Sequence, residues 1–463
     1  MHRALRFRWI LLTATLALVA CSGASNAGFA PTRSDALPRV ASPLERLASD
    51  PSKGKIKHII IIVQENRSFN DLFKGYSGAT TSSYGYDSNG RKIRLRPVGL
   101  ETRWDIDHSS GAFFAACNGT GSIPGTNCRM NGFNKEYVGC GGGSDPCPIK
   151  HPQYAYVPRG ETAPYFAMAH EWVLADQMYA SNFDASSFIS HQYIISAQAE
   201  SAVNYPFSAW GCPGGSGDQI ATVGPQRQIP QGYEVVCWDP TTLGDELDGR
   251  SIPWAFYATS YSGSSPGIWS AYQAIKHIYY GADWKNDVIS QPSQILTDIS
   301  NGKLRTVSWV TPTWPNSDHA GSGYNTGPSW VSSVVNAIGE SQYWNSSAIF
   351  AFWDDYGGWY DSQPPAYADY DGLGFRLPLL IMSPYAKKNY ISHVHYEHGS
   401  ILKFVEDIFD LGRLAAADAR ANSPAADAFD FKQNPRKFVP ISAPHGKDYF
   451  LHQPTDLHVP DAE

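Results

Sequence analysis

Two groups of oxygen-bearing side chains in this sequence each follow directly on a run of apolar residues. The run IIIIV at 59–63 leads into QENR, and the run AIFAFW at 348–353 leads into two adjacent aspartates. Neighbouring carboxylates at a buried strand end repel each other and are costly to remove from water, and a bound cation offsets that cost. Oxygen ligands favour Mg, Ca or Mn over Zn. The sequence therefore predicts a site for one or two divalent cations with four ligands: Glu65, Asn66, Asp354 and Asp355.

A nucleophile for phosphate chemistry is offered by the segment SNFDASSFISHQY at 181–193. Ser186 and Ser187 stand where a helix is predicted to begin. Such a serine is either an N-cap or a nucleophile whose attacked phosphate lies in the positive field of the helix N-terminus. A cation beside the hydroxyl would lower its pKa and activate it without a histidine base. The local pattern does not choose between the two serines.

Three histidines are the remaining polar candidates for this chemistry. His108 follows aspartates at 105 and 107, and His191 lies within the serine segment. His319 follows an aspartate in a polar loop after a predicted strand, which makes it the best placed of the three. A single histidine is more often structural than catalytic, so local pattern alone assigns none of them a role.

The elements that must position these residues alternate along the chain. Strands are predicted at 55–63, 253–257, 305–310, 348–353 and 377–382, and helices at 164–179, 241–247, 328–338 and 400–409. This alternation predicts an α/β fold with a mostly parallel central sheet, helices on both faces and long loops. Ligands bind beyond the carboxyl ends of the strands in open α/β sheets. We therefore expect the residues after positions 63, 310, 353 and 382 to face one site.

The segment 1–21 has the pattern of a targeting sequence. Arginines stand at 3, 6 and 8, a short apolar run follows at 9–20, and the segment ends in LVAC. This pattern resembles a bacterial lipoprotein signal in which Cys21 becomes the lipidated N-terminus; an ordinary secretory signal with an incidental cysteine is the alternative. Residues 22–50 are rich in Ser, Ala, Pro and Gly and predict a flexible tether. We expect an exported protein of the bacterial cell envelope, either an outer-membrane lipoprotein or a periplasmic protein.

Six cysteines follow Cys21, an even number that predicts disulfides in an exported protein. Nearest-neighbour pairing is favoured because the pairs lie in separate Gly-rich loops: 117–128, 140–147 and 212–237. These bridges would staple the long loops. A structural zinc site is disfavoured, because neither a Cys-x2-Cys motif nor paired histidines accompany them.

The composition indicates the class of protein and limits its partners. The chain has 463 residues, of which 42% are hydrophobic and 17% charged, which is typical of a globular protein with a large core. We expect residues 51–414 to form the main domain and 415–463 a C-terminal tail packed on it. The formal net charge is −7, and no Lys/Arg stripe is evident. This argues against nucleic acid as a partner.

Five segments, taken in order, resemble the motifs of a known family. They are ENRSFN after the first apolar run, PNSDHAG at 315–321, FWDDYGGWYD after the aspartates' strand, GLGFRLPLLIMSPYA at 372–386 and YEHGSILKFVED after it. Together they resemble the bacterial phosphoesterase family, which includes acid phosphatases and non-specific phospholipases C and belongs to the alkaline-phosphatase superfamily. The resemblance covers residues 55–412.

The resemblance implies a metal-dependent hydrolase of phosphate esters that acts through a phosphoserine on a small phosphate ester or a phospholipid. Aligning the family's nucleophile motif with residues 185–193 selects Ser187. Asn66 would be a metal ligand or a phosphate contact, and His108 and His319 would contact the phosphoryl group or protonate the leaving oxygen. The metal ligands implied are those predicted above: Glu65, Asn66, Asp354 and Asp355.

Departures from the family pattern leave the specificity open. Asn70 replaces Asp, His191 ends a triplet that replaces Pro-Asn-Arg, and Ser362 replaces a common His. A sulfatase-like enzyme is disfavoured because the Cys/Ser-x-Pro-x-Arg motif is missing around Ser187. A non-catalytic surface lipoprotein on the same fold is disfavoured by the intact set of oxygen ligands. The oligomeric state stays open.

Overall fold

The computed structural model describes residues 52–141, 146–207, 210–259, 269–456 and 458. They belong to one compact unit, Pro51–Glu463. The predicted signal segment 1–21 with Cys21, and the predicted tether 22–50, lie outside the described residues. Within the described part of the chain, every helix is too short or too polar to span a bilayer.

The regular elements alternate along the chain as the sequence predicted. The strands are β1 (His58–Gln64), β2 (Tyr84–Tyr86), β3 (Lys92–Arg94), β4 (Arg96–Pro97), β5 (Ala155–Tyr156), β6 (Val173–Tyr179), β7 (Ala202–Val203), β8 (Gln219–Thr222), β9 (Tyr233–Val235), β10 (Trp254–Tyr257), β11 (Val288–Ile289), β12 (Val307–Val310), β13 (Ser347–Trp353), β14 (Arg376–Met382), β15 (Tyr390–Ser392) and β16 (Tyr396–Glu397). The helices are α1 (Phe69–Phe73), α2 (Ser110–Cys117), α3 (Ala163–Glu171), α4 (Ser187–Ser196), α5 (Leu243–Gly249), α6 (Lys276–Tyr279), α7 (Asp283–Asn286), α8 (Gln294–Ser300), α9 (Gly327–Gly339), α10 (His398–Phe409), α11 (Ala416–Arg420) and α12 (Lys447–His452).

A nine-stranded sheet forms the centre of the unit, in the order β11-β10-β12-β1-β13-β14-β6-β15, with β16 also paired to β6. Strand β1 lies between β12 and β13 and runs parallel to both. Every residue of β13 and of β14 is buried, so both faces of the sheet are covered. The predicted α/β fold with a mostly parallel sheet is confirmed.

Strand β14 runs against its neighbours, which corrects one expectation. Its pairing with β13 is antiparallel, with Ile349 opposite Met382 and Phe352 opposite Leu379. Met382 therefore ends β14 at the sheet edge remote from the carboxyl end of β13, and the prediction that residues after 382 face the site is wrong. The connection from β13 to β14 contains no crossover helix, so the chain turns back beside the strand it has just left. Arg376, at the start of β14, lies at the site edge instead.

The predicted helix at 164–179 is wrong in its second half. Helix α3 ends at Glu171, and β6 begins two residues later. All but one residue of β6 are buried. A strand that is covered on both faces is a continuous apolar run, and such a run also contains apolar residues at helical spacing. Periodicity alone therefore could not place the boundary between α3 and β6.

The described part of the C-terminal segment packs on the main unit. The ring of Phe438 stacks on Trp172, with centroids 5.6 Å apart, and meets Trp344 edge-on. The side chain of Asn336 in α9 bonds both the amide and the carbonyl of Ile441. These contacts join the end of the chain to a helix and two tryptophans that border the sheet.

Three disulfides close the loops in the predicted pairing: Cys117–Cys128, Cys140–Cys147 and Cys212–Cys237. Each joins neighbours along the chain. The bridges thus constrain local loops and do not cross-link distant parts of the sheet.

Removing a bridge should lower the free energy of unfolding more when the loop that it closes is longer. The double substitution Cys212→Ala/Cys237→Ala opens a separation of 25 residues, against 7 for Cys140→Ala/Cys147→Ala. From loop-closure entropy we expect losses in unfolding free energy of about 3.5 and about 2.5 kcal/mol respectively. Urea denaturation of both variants measures them. A larger loss for the shorter loop would contradict the entropic account.

Candidate active site and metal centre

The two predicted oxygen clusters meet because their strands are neighbours in register. Gln64, the last residue of β1, pairs with Trp353, the last residue of β13. The residues that follow therefore leave the sheet side by side. The amide of Asn66 donates to Oδ1 of Asp354, 3.0 Å away, which links the two clusters directly.

A histidine joins the first part of this site. Nε2 of His191 lies 3.0 Å from Oε1 of Glu65 and 3.7 Å from Oδ2 of Asp354. One ligand atom from each of the three residues falls within 4.8 Å of the others, which is a spacing that a metal ion can bridge. All three side chains are buried. The predicted ligands Glu65 and Asp354 are thus brought together with a nitrogen donor.

The second part of the site surrounds Ser187. Its Oγ lies 3.2 Å from Oδ2 of Asp355, to which it donates, and 3.5 Å from Oδ1 of Asn66. The amide Nδ2 of Asn66 donates to Nε2 of His108 at 2.9 Å. Nδ1 of His108 donates to the carbonyl oxygen of Ile106 at 2.7 Å, because a carbonyl only accepts. His108 therefore orients the side chain of Asn66.

The charge of this site fits a bound cation. Glu65, Asp354 and Asp355 are all fully buried, and the ion-pair contacts found beside them are to His191 and His108. Three carboxylates against two imidazoles leave an excess of negative charge even with both imidazoles protonated. Oδ2 of Asp354 accepts no hydrogen bond from the described residues. Since a buried carboxylate oxygen without a hydrogen bond is costly, the residues present suit a divalent cation.

Helix α4 carries both the serine and the histidine. Ser187 is its first residue, and His191 follows one turn later on the same face. The adjacent Ser186 is occupied elsewhere: its Oγ donates to Oδ2 of Asp184 at 3.1 Å and lies 2.9 Å from the carbonyl oxygen of Asn204. Local pattern left the choice between the two serines open. Of the two, Ser187 is the one that bonds Asp355 beside the metal cluster, whereas Ser186 bonds Asp184 and Asn204.

The backbone is bent sharply at two places to make this geometry. Ala185, two residues before Ser187, has a left-handed backbone with φ of 48°. A left-handed non-glycine residue costs about 1–2 kcal/mol, and such strain is often found at functional sites. Gly357 has φ of 58°, and a Cβ there would lie 2.2 Å from the carbonyl oxygen of Asn66. A side chain at 357 would displace the loop that carries the metal-site asparagine.

His319 lies beside this cluster but apart from the serine contacts. Its ring centroid is 6.3 Å from that of His108 and 4.7 Å from that of Trp314. Nδ1 bonds the carbonyl oxygen of Ala320 and lies 3.9 Å from Oδ2 of Asp105. The structure thus places both predicted histidines at one end of the site.

Arg67 connects the end of β1 to two neighbouring segments. Its Nε donates to the carbonyl oxygen of Asp318 at 2.7 Å, and Nη1 donates to Asp71 at 3.2 Å. The guanidinium lies 4.6 Å from the ring centroid of Trp359. Burial raises the pKa of Asp318 to about 6, although the nearby guanidinium opposes the shift. Arg67 ties β1 to the loop that presents His319.

His398 was missed by sequence reasoning. It is the first residue of α10, and burial lowers its pKa to about 4 against the opposing attraction of Asp354. Its Nδ1 accepts from the amide of Ser181 at 3.4 Å. A neutral imidazole thus lies beside the carboxylates. The available signal was a histidine at a helix start in the motif YEHGS.

Asn70, one of the departures from the family pattern, and Asp361, which precedes another at Ser362, both have structural partners. Asn70 bonds the amide and the carbonyl of Ser82 through its side chain, at 2.6 and 3.1 Å, so it fastens a loop. Asp361 forms a fully buried ion pair with Arg376, with oxygen–nitrogen distances of 3.0 and 3.1 Å. Neither group contacts Ser187, so these positions support the site from outside.

A sequence model of the Phosphoesterase family matches residues 56–412 of this chain. The chain belongs to the phosphoesterase family. It is a hydrolase of phosphoric esters, and the family predicted from the five motifs is confirmed over nearly the same residues.

Known proteins from plants and bacteria are similar to this phosphoesterase. Non-specific phospholipase C1 of Arabidopsis thaliana is 23% identical over 440 residues, covering 85% of this chain and 75% of its own. Phospholipase C B of Mycobacterium tuberculosis is 22% identical over 414 residues, covering 76% and 73%. A solved protein of the alkaline phosphatase superfamily from Vibrio parahaemolyticus aligns with a TM-score of 0.36 at 10% identity, covering 77% of this chain and 67% of its own.

Exchanging His191 for the family's arginine tests the nitrogen donor in the metal cluster. In the His191→Arg variant a fixed positive charge lies between Glu65 and Asp354, so we expect metal affinity to fall at least about 100-fold. The same charge should raise the melting temperature of the chelated protein above that of the chelated wild type. Calorimetric titration with Mn²⁺ and melting curves in chelator measure both effects. Unchanged Mn²⁺ affinity would exclude His191 as a ligand.

Proposed function

We propose that this phosphoesterase hydrolyses phosphodiesters of the phospholipid class through Ser187, with a divalent cation held by Glu65, His191 and Asp354. The observation that carries the proposal is the position of the Ser187 hydroxyl. It lies at the N-terminus of α4, against Asp355 and Asn66 and beside the buried ligand cluster. A hydroxyl in that position is oriented for attack on a phosphate drawn to the helix terminus.

The proposed hydrolysis proceeds by two displacements at phosphorus: formation of a phosphoserine and its hydrolysis. The cation supplies stabilisation of the negative charge on the phosphoryl oxygens. Oγ of Ser187 attacks phosphorus while its proton passes to Asp355, which already accepts its hydrogen bond. The bond from phosphorus to the alcohol oxygen breaks, and that oxygen takes a proton from His319. Water then cleaves the resulting phosphoserine and releases the phosphorylated headgroup.

Asn66 and His108 position the phosphoryl group in this scheme. An amide has two N–H donors, and one of those on Asn66 is held by His108. The second is available to a phosphoryl oxygen, where charge develops during transfer. His108 is a positioning residue because its two nitrogens are engaged by Asn66 and Ile106.

The ligand set favours Mn²⁺ among the predicted Mg, Ca and Mn. Carboxylates suit all three cations, but imidazole nitrogen is a donor that transition metals bind more readily. Glu65 and Asp354 supply the oxygens and His191 the nitrogen. Asn66 and Asp355 lie on the Ser187 side, where their oxygens would be available as further ligands.

The charges beside His319 favour a phosphodiester with a cationic headgroup over a phosphomonoester. A hollow of about 340 Å³ beside the site is lined by Asp105, Asp107, Tyr137 and Gly139. Asp105 lies against His319. Two carboxylates and an aromatic ring attract a quaternary ammonium group and repel a dianionic monoester.

Hydrolysis of three aryl substrates tests the proposal: p-nitrophenyl phosphorylcholine, p-nitrophenyl phosphate and p-nitrophenyl sulfate, each with chelator and with Mn²⁺. We expect the choline diester to be preferred, and the preference to fall in Asp105→Asn/Asp107→Asn. Preference for the monoester would make the enzyme a phosphatase. Preference for the sulfate would support the sulfatase-like alternative, and no turnover of any substrate would support a non-catalytic protein.

We propose further that the protein is exported and anchored in the bacterial envelope through a lipid on Cys21. The sequence pattern at 1–21 supports this. Mass spectrometry of the N-terminal peptide from the native producer tests it. A mature chain that begins after Cys21 would exclude the anchor.

A further inference from the structure

A basic cleft lies away from the Ser187 site. It has a volume of about 660 Å³. None of the site residues lines it, and strands β3 and β4 form one wall while the segment that follows Cys147 forms the other. The charged side chains lining it are Asp87, Arg91, Lys92, Arg94, Arg96 and Lys150.

The charge of the basic cleft is opposite to that of the whole chain. Five cations and one carboxylate line it, in a protein of formal net charge −7. Asp87 is buried and paired with Arg91 at 2.7 Å, so its charge is already matched. The other four cations form no ion pair with a carboxylate among the described residues. The sequence shows no Lys/Arg stripe here, because apolar residues interrupt the charges in RKIRLRP; the fold brings these charges together with Lys150.

The pKa of His151 responds to this field. Partial burial lowers it, and the charges of Lys150 and Arg91 lower it further. The charge of Asp87 opposes this lowering of the His151 pKa.

Two tyrosines share an exposed face with these cations. In the β2–β3 hairpin, Tyr84 lies opposite Arg94 and Tyr86 opposite Lys92, and residues directly opposite point to the same face. Nζ of Lys92 lies 3.6 Å from the ring centroid of Tyr84. Tyr84 and Tyr86 are 39% and 45% exposed. Exposed tyrosine beside lysine and arginine is the composition that proteins place at the headgroup level of a bilayer.

The hairpin is firmly attached to the loop that follows the metal-site aspartates. A Cβ at Gly85 would lie 2.7 Å from the ring of Tyr360, so the two segments are in close contact. The hydroxyl of Tyr154 donates to the carbonyl oxygen of Tyr86 at 2.8 Å. Tyr360 in turn accepts from Ser68 just after β1. A surface bound through this face would be held at a fixed distance from the catalytic strand ends.

We propose that the basic cleft and the tyrosine face dock the enzyme on bilayers that contain anionic phospholipids, whose phosphates the cations bind. Membrane binding is proposed whether or not the protein is an enzyme. The further step, in which docking delivers lipid to Ser187, rests on the proposed function. A bilayer surface presents many phosphates side by side, so each of the four cations on the two walls can bind one. The tyrosines supply the amphipathic contact that a soluble anion would not need.

Sedimentation with vesicles tests the docking. The probes are vesicles of phosphatidylcholine alone and of phosphatidylcholine mixed with phosphatidylglycerol, and every chain carries Cys21→Ser so that no acyl chain contributes. We expect wild type to prefer the mixed vesicles, and Arg94→Gln/Arg96→Gln to bind them roughly 30-fold more weakly, because each cation near an anionic surface contributes to binding. The matched control Lys285→Gln/Lys303→Gln loses the same charge from exposed positions outside the cleft and should bind as wild type does.

Other outcomes overturn the docking. Equal binding of both vesicle types, equal loss in the control variant, or displacement from vesicles by millimolar inorganic phosphate would each contradict it, the last by indicating a site for small anions. Ser187→Ala should bind mixed vesicles as wild type does. Turnover of p-nitrophenyl phosphorylcholine by Arg94→Gln/Arg96→Gln should be unchanged, which shows a folded enzyme. Absent turnover in wild type with charge-dependent vesicle binding would reject the proposed function and keep the docking.

Discussion

Replacing Ser187 with alanine should lower kcat/KM for p-nitrophenyl phosphorylcholine by at least roughly 10⁴-fold, because the residue that forms the covalent intermediate is lost. The fold should persist, since the change removes one oxygen from a buried helix start. Mn²⁺ affinity should stay within a few-fold of wild type, because the proposed ligands Glu65, His191 and Asp354 are untouched. Steady-state kinetics and calorimetric titration measure the two effects separately.

Ser186→Ala is the matched control for this prediction. It removes the same oxygen from the adjacent residue, whose Oγ contacts Asp184 and Asn204 and not the carboxylate cluster. We expect near wild-type turnover with a modest loss of stability. If Ser186→Ala is inactive and Ser187→Ala is active, the nucleophile is misassigned.

The substitution Asp354→Asn should abolish the response to metal and lower turnover by roughly 10³-fold, since several kcal/mol of charge stabilisation depend on the cation. Asparagine is chosen over alanine because Oδ1 of Asp354 accepts from the amides of Asn66 and Asp355, at 3.0 and 2.8 Å. The asparagine carbonyl keeps both hydrogen bonds and removes the charge. The rise in melting temperature on adding Mn²⁺ to chelated protein, expected for wild type, should vanish.

A buried carboxylate outside the cluster provides the control for Asp354→Asn. Asp176 is fully buried and accepts from the amide of Thr80 at 2.8 Å, beside His393. Asp176→Asn should keep the Mn²⁺ response of wild type, even if it lowers the melting temperature. If Asp354→Asn keeps wild-type turnover, the assignment of Asp354 as a metal ligand is wrong.

Much of the site was predictable because its residues follow apolar strands directly. The run before Glu65 and the run before Asp354 are so apolar that both strands, and the positions where they end, can be predicted from the sequence. Parallel pairing then brings the ends together. The disulfide pairing was predictable for the similar reason that each bridge is local.

The remaining features depend on tertiary contacts that no local pattern contains. Strand β6 carries the same apolar spacing as the helix before it, and only its place between β14 and β15 makes it a strand. His191 joins Glu65 and Asp354 across 126 or more residues, and its companion His398 comes from a helix late in the chain. The orientation of β14 follows from how the chain returns after β13. The alternating charges of 91–96 become a patch only when a second segment closes the cleft.

The central position of β1 has a consequence for how the chain is made. This strand is among the first elements to emerge during synthesis, yet its partners β12 and β13 lie roughly 240 and 280 residues further on. At typical elongation rates the run IIIIV waits unpaired for on the order of 10–60 seconds. Such a segment is prone to aggregate unless charged residues flank it. Lys55 and Lys57 on one side and Glu65 and Arg67 on the other provide that protection. Glu65, a proposed metal ligand, and its neighbour Arg67 would thus also reduce aggregation of the nascent chain.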